Sequence, residues 1–380
     1  MRPLEGITVV SLEHAIAAPF ATRQLADLGA RVIKVERPGG GDFARDYDDR
    51  VNGLASHFVW CNRSKESITL DLKSPLGREA LSRLVARADV LVQNLAPGAT
   101  ARMGFDYASL ASEHPALIVC DISGYGQDGP YRDRKAYDLL IQSESGFLSV
   151  TGTPEQVAKS GCSIADIAAG MYAYTNILAA LIERGRTGRG RHIDVSMLEA
   201  MAEWMGFPMY YAFDGAAQPP RTGARHATIY PYGPFRTADG EVLFGIQNER
   251  EWRSFCAEVM GDLALAEDPR FAGNSQRSAN RETLEPILDA VLGKLSSAAL
   301  IERLDKAQIA NAQVNDMAAL WSHPQLAARR RWRKVATPQG PVSALLPPGQ
   351  ADARMDAIPA PGADTQAILA ELGLIEAKVA

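Results

Sequence analysis

Two hydrophobic patterns alternate along the first half of the chain. Residues 7–12 (ITVVSL) are a short β-branched run, and residues 31–35 (RVIKV) are another. Between them, Phe20, Leu25 and Leu28 recur at helical spacing over residues 19–28, and Gly29 closes the segment. Residues 89–92 and 117–122 (LIVCDI) read as two further strands. Ser74 and Pro75 stand where a cap and first turn belong, opening a helix through Leu84 and Val85. Strands separated by helices of this length predict βαβ units and a parallel sheet, with ligands at the carboxyl ends of its strands.

Residues 164–184 form a long apolar helical pattern rich in Ala, Gly and Tyr. The basic stretch GRTGRGRH (185–192) has no interleaved aromatics, so it reads as a solvated turn into the strand HIDVS. A helix from Met197, carrying Trp204 and Tyr210, runs into a Gly/Pro/Gln-rich break at 214–220. Beyond it, residues 232–246 read as a hairpin turning at Asp239-Gly240, followed by short helices punctuated by Pro269, Pro286 and Pro324. The fold class is therefore α/β, a Rossmann-like large domain plus a smaller α+β domain. The expected boundaries are a large domain at 1–200, a linker at 201–224, a small domain at 225–320, and a second linker with a C-terminal return to the large domain at 321–380. That return ends in a helix over 365–372.

Length agrees, since 380 residues imply two or three domains. Lys plus Arg is 40 against 45 Asp plus Glu, a formal net charge of -5. Such a chain has no global field for nucleic acid, and an anionic ligand must be held by a local basic cluster. Cys61, Cys120, Cys162 and Cys256 lie far apart without a CxxC pair, which argues against a disulfide framework or structural zinc. The N-terminus runs straight into a strand, and no stretch approaches 18 apolar residues. The expectation is a soluble, cytoplasmic protein with neither nucleic-acid nor membrane partners.

P-loop, HExxH and GxSxG motifs are absent. Gly39-Gly40-Gly41 lacks GxGxxG spacing, and Pro38 and Asp42 around it suit an ordinary turn. The first strand is followed by EHAIAAP without a glycine, which argues against a nicotinamide cofactor. Acid–base and nucleophile chemistry remain. Asp166 opens the apolar helix among Ala165, Ala168, Ala169 and Gly170. It suits a capping or first-turn carboxylate, and equally a carboxylate nucleophile whose small neighbours admit a substrate. Asp138, after Lys135 and Tyr137, has the setting of a cap.

Longer blocks carry a resemblance. EHAIAAPFATRQLADLGARVIKVERPGGGDFAR, Asn62-Arg63 with SITLDLK, VLVQNLAPGATARMGFDY, SGYGQDGPY, KAYDLLIQ, SIADIAAGMYA, GRGRHIDVSMLEA, DPRF and HPQL stand in order over most of the chain. The ordered set resembles the class III CoA-transferases, the family of formyl-CoA transferase and carnitine CoA-transferase. The resemblance implies that Asp166 is the catalytic nucleophile, with coenzyme A, as acyl-CoA, the substrate and no metal required. It implies CoA contacts at His14, Ala15, Ala17, Arg37, Leu70, Lys73, Asn94, Leu95, Arg102, Met103 and Lys135. It also implies an interlocked homodimer. Arg37, Lys73, Arg102 and Lys135 would form the local phosphate site that the net charge demands.

Ile16 replaces the Gln of the formyl-CoA enzymes, and residues 221–235 lack their glycine run, which turns the reading away from oxalate and formate. The combination EHAIAAPF, GGGDFAR and VNGLASHFVWCNR resembles the branch acting on C4–C5 dicarboxylates such as succinyl-, mesaconyl-, itaconyl- or citramalyl-CoA. A second substrate carboxylate needs cationic or donor side chains, and Arg45, His57, Arg225 and His226 are the candidates. The alternative is an acyl-CoA racemase of the same fold, acting by α-proton abstraction. At that family's catalytic His this chain has Tyr137, followed by Asp138, which favours transfer.

Overall fold

The computed structural model describes residues 1–376. Contacts divide the chain into two compact units. Unit one comprises Met1–Phe147, Ser160–Gly206 and the chain from Gln325 onward; unit two comprises Leu148–Lys159 and Phe207–Pro324. The excursion Leu148–Lys159, which sequence reading left inside the large domain, belongs to unit two.

Unit one is built on six parallel strands: β1 (Thr8–Leu12), β2 (Arg31–Glu36), β3 (Lys65–Thr69), β4 (Val90–Gln93), β5 (Ile118–Ser123) and β6 (His192–Ser196). Their order is β3-β2-β1-β4-β5-β6. The strand order reverses between β1 and β4, and a doubly wound sheet opens its ligand crevice at that point, beyond the carboxyl ends. The loops there are His14–Ile16 after β1 and Asn94–Leu95 after β4. They are tied together: the His14 N–H donates to Asn94 Oδ1 at 3.0 Å, and Asn94 Nδ2 donates to the His14 carbonyl at 2.9 Å.

β1, β2, β4 and β5 match the β-branched runs. β3 was not read as a strand, because its Lys65, Glu66 and Ser67 break the apolar pattern. The apolar residues after His57 belong to a helix, Ser56–Cys61. The helices Ala17–Asp27 and Ile164–Thr187 pack together on one face of the sheet. Gly170 permits their closest approach, since a Cβ there would stand 2.7 Å from the Ala17 carbonyl oxygen. Among the described residues, Ile164–Thr187 is one helix long and apolar enough to cross a membrane by length and composition. Sequence reading missed that because Gly, Thr and Asn interrupt the run. Its Ala165, Ala168, Ala169, Ala173, Ile177 and Ala180 are buried in the core beneath the sheet.

Beneath the β1 loop lies a charge network with its polar atoms out of water. Lys65 Nζ donates to Glu13 Oε1 at 2.6 Å, and Lys34 Nζ reaches Asp42 Oδ2 at 2.8 Å and Glu13 Oε1 at 3.4 Å. Thr22 Oγ1 donates to Glu13 Oε2 at 2.6 Å. Burial works against the Glu13 carboxylate, but Lys65 and Lys34 more than offset it and hold its pKa below the ordinary value. Burial pulls the Lys65 ammonium down to about 8.

Unit two has its own core. Strands Tyr232–Arg236, Glu241–Gly245 and Asn311–Gln313 form an antiparallel sheet against helices, around Tyr230, Phe235, Phe244, Trp252, Phe255 and Leu288.

Candidate active site

A cavity of about 580 Å³ opens at the switch point. Leu12, Glu13 and His14 from the β1 end, Val35 to Pro38 from β2, Leu70 to Lys73 from β3, and Leu95, Ala99, Arg102 and Met103 beyond β4 form its wall. Seven of the expected CoA contacts therefore meet in one place: His14, Arg37, Leu70, Lys73, Leu95, Arg102 and Met103. Asn94 stands behind them, pinning His14. The apolar floor and basic mouth suit a ligand with a heteroaromatic body and phosphates.

Lys135 is not part of this group. It lines a separate pocket of about 290 Å³ with Tyr125, Arg134, Leu140, Ser143 and Glu144. Arg78 takes its place at the cavity. Sequence reading passed over Arg78 because nothing in its own helix distinguishes it from a solvated arginine.

The loop that walls the cavity also reaches Asp166. Ala15 takes a left-handed conformation at φ 61°, Ile16 is buried, and Ala17 opens the first helix. The Ala17 N–H donates to the Asp166 carboxylate. Asp166 is a first-turn carboxylate rather than the cap: Ser163 is the N-cap residue of Ile164–Thr187 and makes no side-chain capping bond. The capping bond comes from Asp138, whose Oδ1 accepts from the Ala165 N–H at 2.8 Å, while its Oδ2 accepts from Gln142 Nε2 at 2.7 Å. Asp138 is thus a cap, for a helix 27 residues further along the chain.

Asp166 is half-buried. Burial pushes its carboxyl up to about 7, with repulsion from Asp138 adding to the rise and the Ala17 N–H opposing it. A carboxylate this basic is a better nucleophile than an ordinary aspartate and is still half ionised near neutrality. His14 is pushed the other way: burial lowers its pKa, against the opposing pull of Asp42. Tyr47, which sequence reading missed, faces the site. Burial, Asp42, Asp166 and Tyr137 together raise its phenol pKa. No local signal marks it, because a lone exposed tyrosine in a polar loop has no pattern.

The candidates for a second substrate carboxylate fall into two groups. Arg45 is committed to Glu36 at 2.6 Å and stacks over Phe58 at 3.7 Å. Arg225 pairs with Glu285, and His226 Nδ1 accepts from the Thr228 and Ile229 N–H groups in unit two. All three side chains are used structurally. His57 differs: its Nδ1 is buried without a hydrogen-bond partner, and its ring meets Tyr47 edge-on at 5.6 Å. Tyr137 is 69% exposed and is close enough to Tyr47 to act on its phenol.

The profile of CoA-transferase family III matches residues 4–365. The chain belongs to CoA-transferase family III. An acetyl-CoA:oxalate CoA-transferase of Acetobacter aceti is 37% identical over 346 residues, 90% of this chain and 88% of that one. A succinate–glutarate CoA-transferase of Agrobacterium fabrum is 38% identical over 337 residues, 86% of this chain and 84% of that one. The crystal structure of a CAIB/BAIF family protein from Brucella suis superposes with a TM-score of 0.86 at 36% identity, covering 98% and 99% of the two chains. This family III protein is an enzyme that transfers CoA, and CoA thioesters are its substrates.

Proposed function

We propose that this CoA-transferase exchanges CoA between short dicarboxylic acids, with Asp166 as the nucleophile. The observation that carries the proposal is one loop serving two sites: His14 walls the basic-mouthed cavity, and Ala17, three residues on, donates to Asp166. A CoA held in the cavity would present its thioester at that loop.

The Asp166 carboxylate attacks the thioester carbonyl, forming a C–O bond and expelling CoA thiolate, which leaves a mixed anhydride. The thiolate then attacks the aspartyl carbonyl, giving an aspartyl-CoA thioester and the free donor acid. The acceptor carboxylate runs both steps in reverse. Every intermediate keeps an activated acyl group, and no proton need be added or removed. The Ala17 N–H is placed to stabilise the oxyanion at the aspartyl carbonyl. A racemase using Asp138 as base loses support because both Asp138 oxygens are engaged as hydrogen-bond acceptors. One using Asp166 would give deuterium uptake at the α-carbon without an acceptor acid, which transfer does not.

Support for a dicarboxylate comes from the succinate–glutarate relative and from His57, whose Nδ1 is buried without a partner and whose ring meets Tyr47, the tyrosine that feels the Asp166 charge. Sequence reading turned away from oxalate at Ile16 and 221–235, but the oxalate-named relative is equally similar, so those positions do not exclude a two-carbon diacid. A panel of acyl-CoA donors against C2–C5 diacids and matched monoacids, read by mass spectrometry, tests this. Diacids are expected to exceed monoacids by at least about tenfold in kcat/KM, the worth of one charge-assisted hydrogen bond. Equal or faster turnover of monoacids contradicts the substrate class. In the same assay, Lys73→Ala and Arg102→Ala are each expected to raise the KM for acyl-CoA by about tenfold with kcat held, the mark of lost ground-state phosphate binding. Unchanged KM in both would remove the cavity as the CoA site.

A further inference from the structure

The loop that carries Ala17 owes its shape to a buried carboxylate in the cavity wall, Asp42. Ala15 is held at φ 61°, a left-handed conformation that costs a residue with a Cβ and persists only when its surroundings enforce it. The enforcing group is Asp42. Its Oδ1 accepts from the Ala15 N–H at 3.0 Å and from the Ala44 N–H at 2.9 Å. Its Oδ2 accepts from Lys34 Nζ at 2.8 Å, and its own N–H donates to Glu36 Oε2 at 2.8 Å. Only 3% of Asp42 is exposed, so all four bonds are made out of water, where they are strong and well oriented. Two residues later the Ala17 N–H points at Asp166. The helix carrying Asp166 presses on Ala17 from the other side at Gly170.

We propose that Asp42 is a positioning residue: by accepting the Ala15 N–H it fixes the β1 loop and thereby aims the Ala17 N–H at the Asp166 carboxylate. Lys34 and Glu36 in turn hold Asp42 in one orientation, so the buried charge network is the mount of the active-site loop. The effect on turnover rests on Asp166 being the nucleophile; the effect on the loop does not.

Three variants separate this from a merely structural role. Asp42→Ala removes the acceptor. Asp42→Asn keeps an oxygen for Ala15 while removing the charge. Asp42→Glu keeps the charge but displaces the acceptor by one methylene. Amide exchange across residues 14–18 of the unliganded enzyme is expected to speed up by about tenfold in Asp42→Ala and by less in Asp42→Asn, which keeps the acceptor for Ala15 but turns an amide donor towards Lys34. The charged and titratable groups that face Asp166 are Asp138 and Tyr47. Losing the Ala17 donor disfavours the carboxylate, so the acid limb of kcat/KM is expected to move up by about half a pH unit or more in Asp42→Ala. Simple loss of a negative charge would move that limb down, so the direction decides.

Should Asp42→Ala not fold, Asp42→Glu is expected to give the same upward shift and faster exchange. Unchanged exchange together with an unmoved or lowered acid limb in Asp42→Ala or Asp42→Glu overturns the proposal. If Asp166→Ala retains transfer while Asp42→Ala still loosens the loop, the nucleophile reading fails and the positioning one stands.

Discussion

Replacing Asp166 with alanine is expected to lower CoA transfer by at least about a thousandfold while leaving acyl-CoA binding nearly intact. The argument rests on what surrounds the carboxylate. The described residues that act on its charge are Asp138, which repels it, and the Ala17 N–H, which donates to it. Asp138 is already occupied by the Ala165 N–H and Gln142, so no neighbouring carboxylate is free to take over the attack. With ionised Asp166 as the proposed nucleophile, kcat/KM should rise with pH through a midpoint near 7, the value to which burial pushes Asp166. The same shift bears on stability. An aspartate whose folded-state pKa is raised costs the fold its ionisation: stability falls as pH climbs from about 4 towards 7, and the loss is complete above that. Asp166→Asn removes the cost. It should melt several degrees above the parent at pH 8 and close to it at pH 4. A variant less stable than the parent at pH 8 would contradict this account of the site.

Glu13→Ala is expected to destabilise unit one by about 3–5 kcal/mol, the cost of breaking a buried ion pair from one side. Glu13 stands between two fully buried ammoniums, Lys34 and Lys65. Without it, Lys65 keeps only the Pro19 carbonyl and Asn62 Oδ1. Lys65 already titrates near 8 because of burial, and losing its carboxylate drives that value lower. A lysine with a depressed pKa penalises the folded state most at neutral pH, and the penalty shrinks as pH rises towards its unfolded value. The gap between variant and parent, read by denaturant unfolding, should therefore narrow from pH 7 to pH 9. Glu13→Gln, which keeps an acceptor, should lose less. A loss below about 1 kcal/mol at pH 7 would mean that the network is not what holds the loop.

The parallel sheet was legible because β1, β2, β4 and β5 are buried β-branched runs with turn signals between them. β3 was not, because Lys65 and Ser67 turn inward to a charge network and Glu66 pairs with Arg31, so a strand at the sheet edge carries almost no apolar pattern. The hairpin of Trp332–Val335 with Val342–Leu345 was missed for a similar reason, its first strand being written in arginine and lysine. The expected CoA contacts came from resemblance rather than from spacing, and the sheet brings seven of them to one cavity because they sit beyond the carboxyl ends of its strands. Lys135 lies after a loop whose course local sequence does not fix, and it falls elsewhere. Asp42 reads as a turn residue in GGGDF, and its bond to Ala15 spans 27 positions that no local pattern connects. Tyr47 belongs to the same class: a tertiary neighbour of Asp166 with no signal of its own.

The central claim is that the acyl and CoA groups pass through Asp166. Incubating the enzyme with an acyl-CoA donor and no acceptor acid, quenching with hydroxylamine and mapping the digest by mass spectrometry tests it directly. The expected result is a hydroxamate on Asp166, formed only when donor is present. An active enzyme in which Asp166 stays unmodified, or in which a different carboxylate carries the adduct, would contradict it.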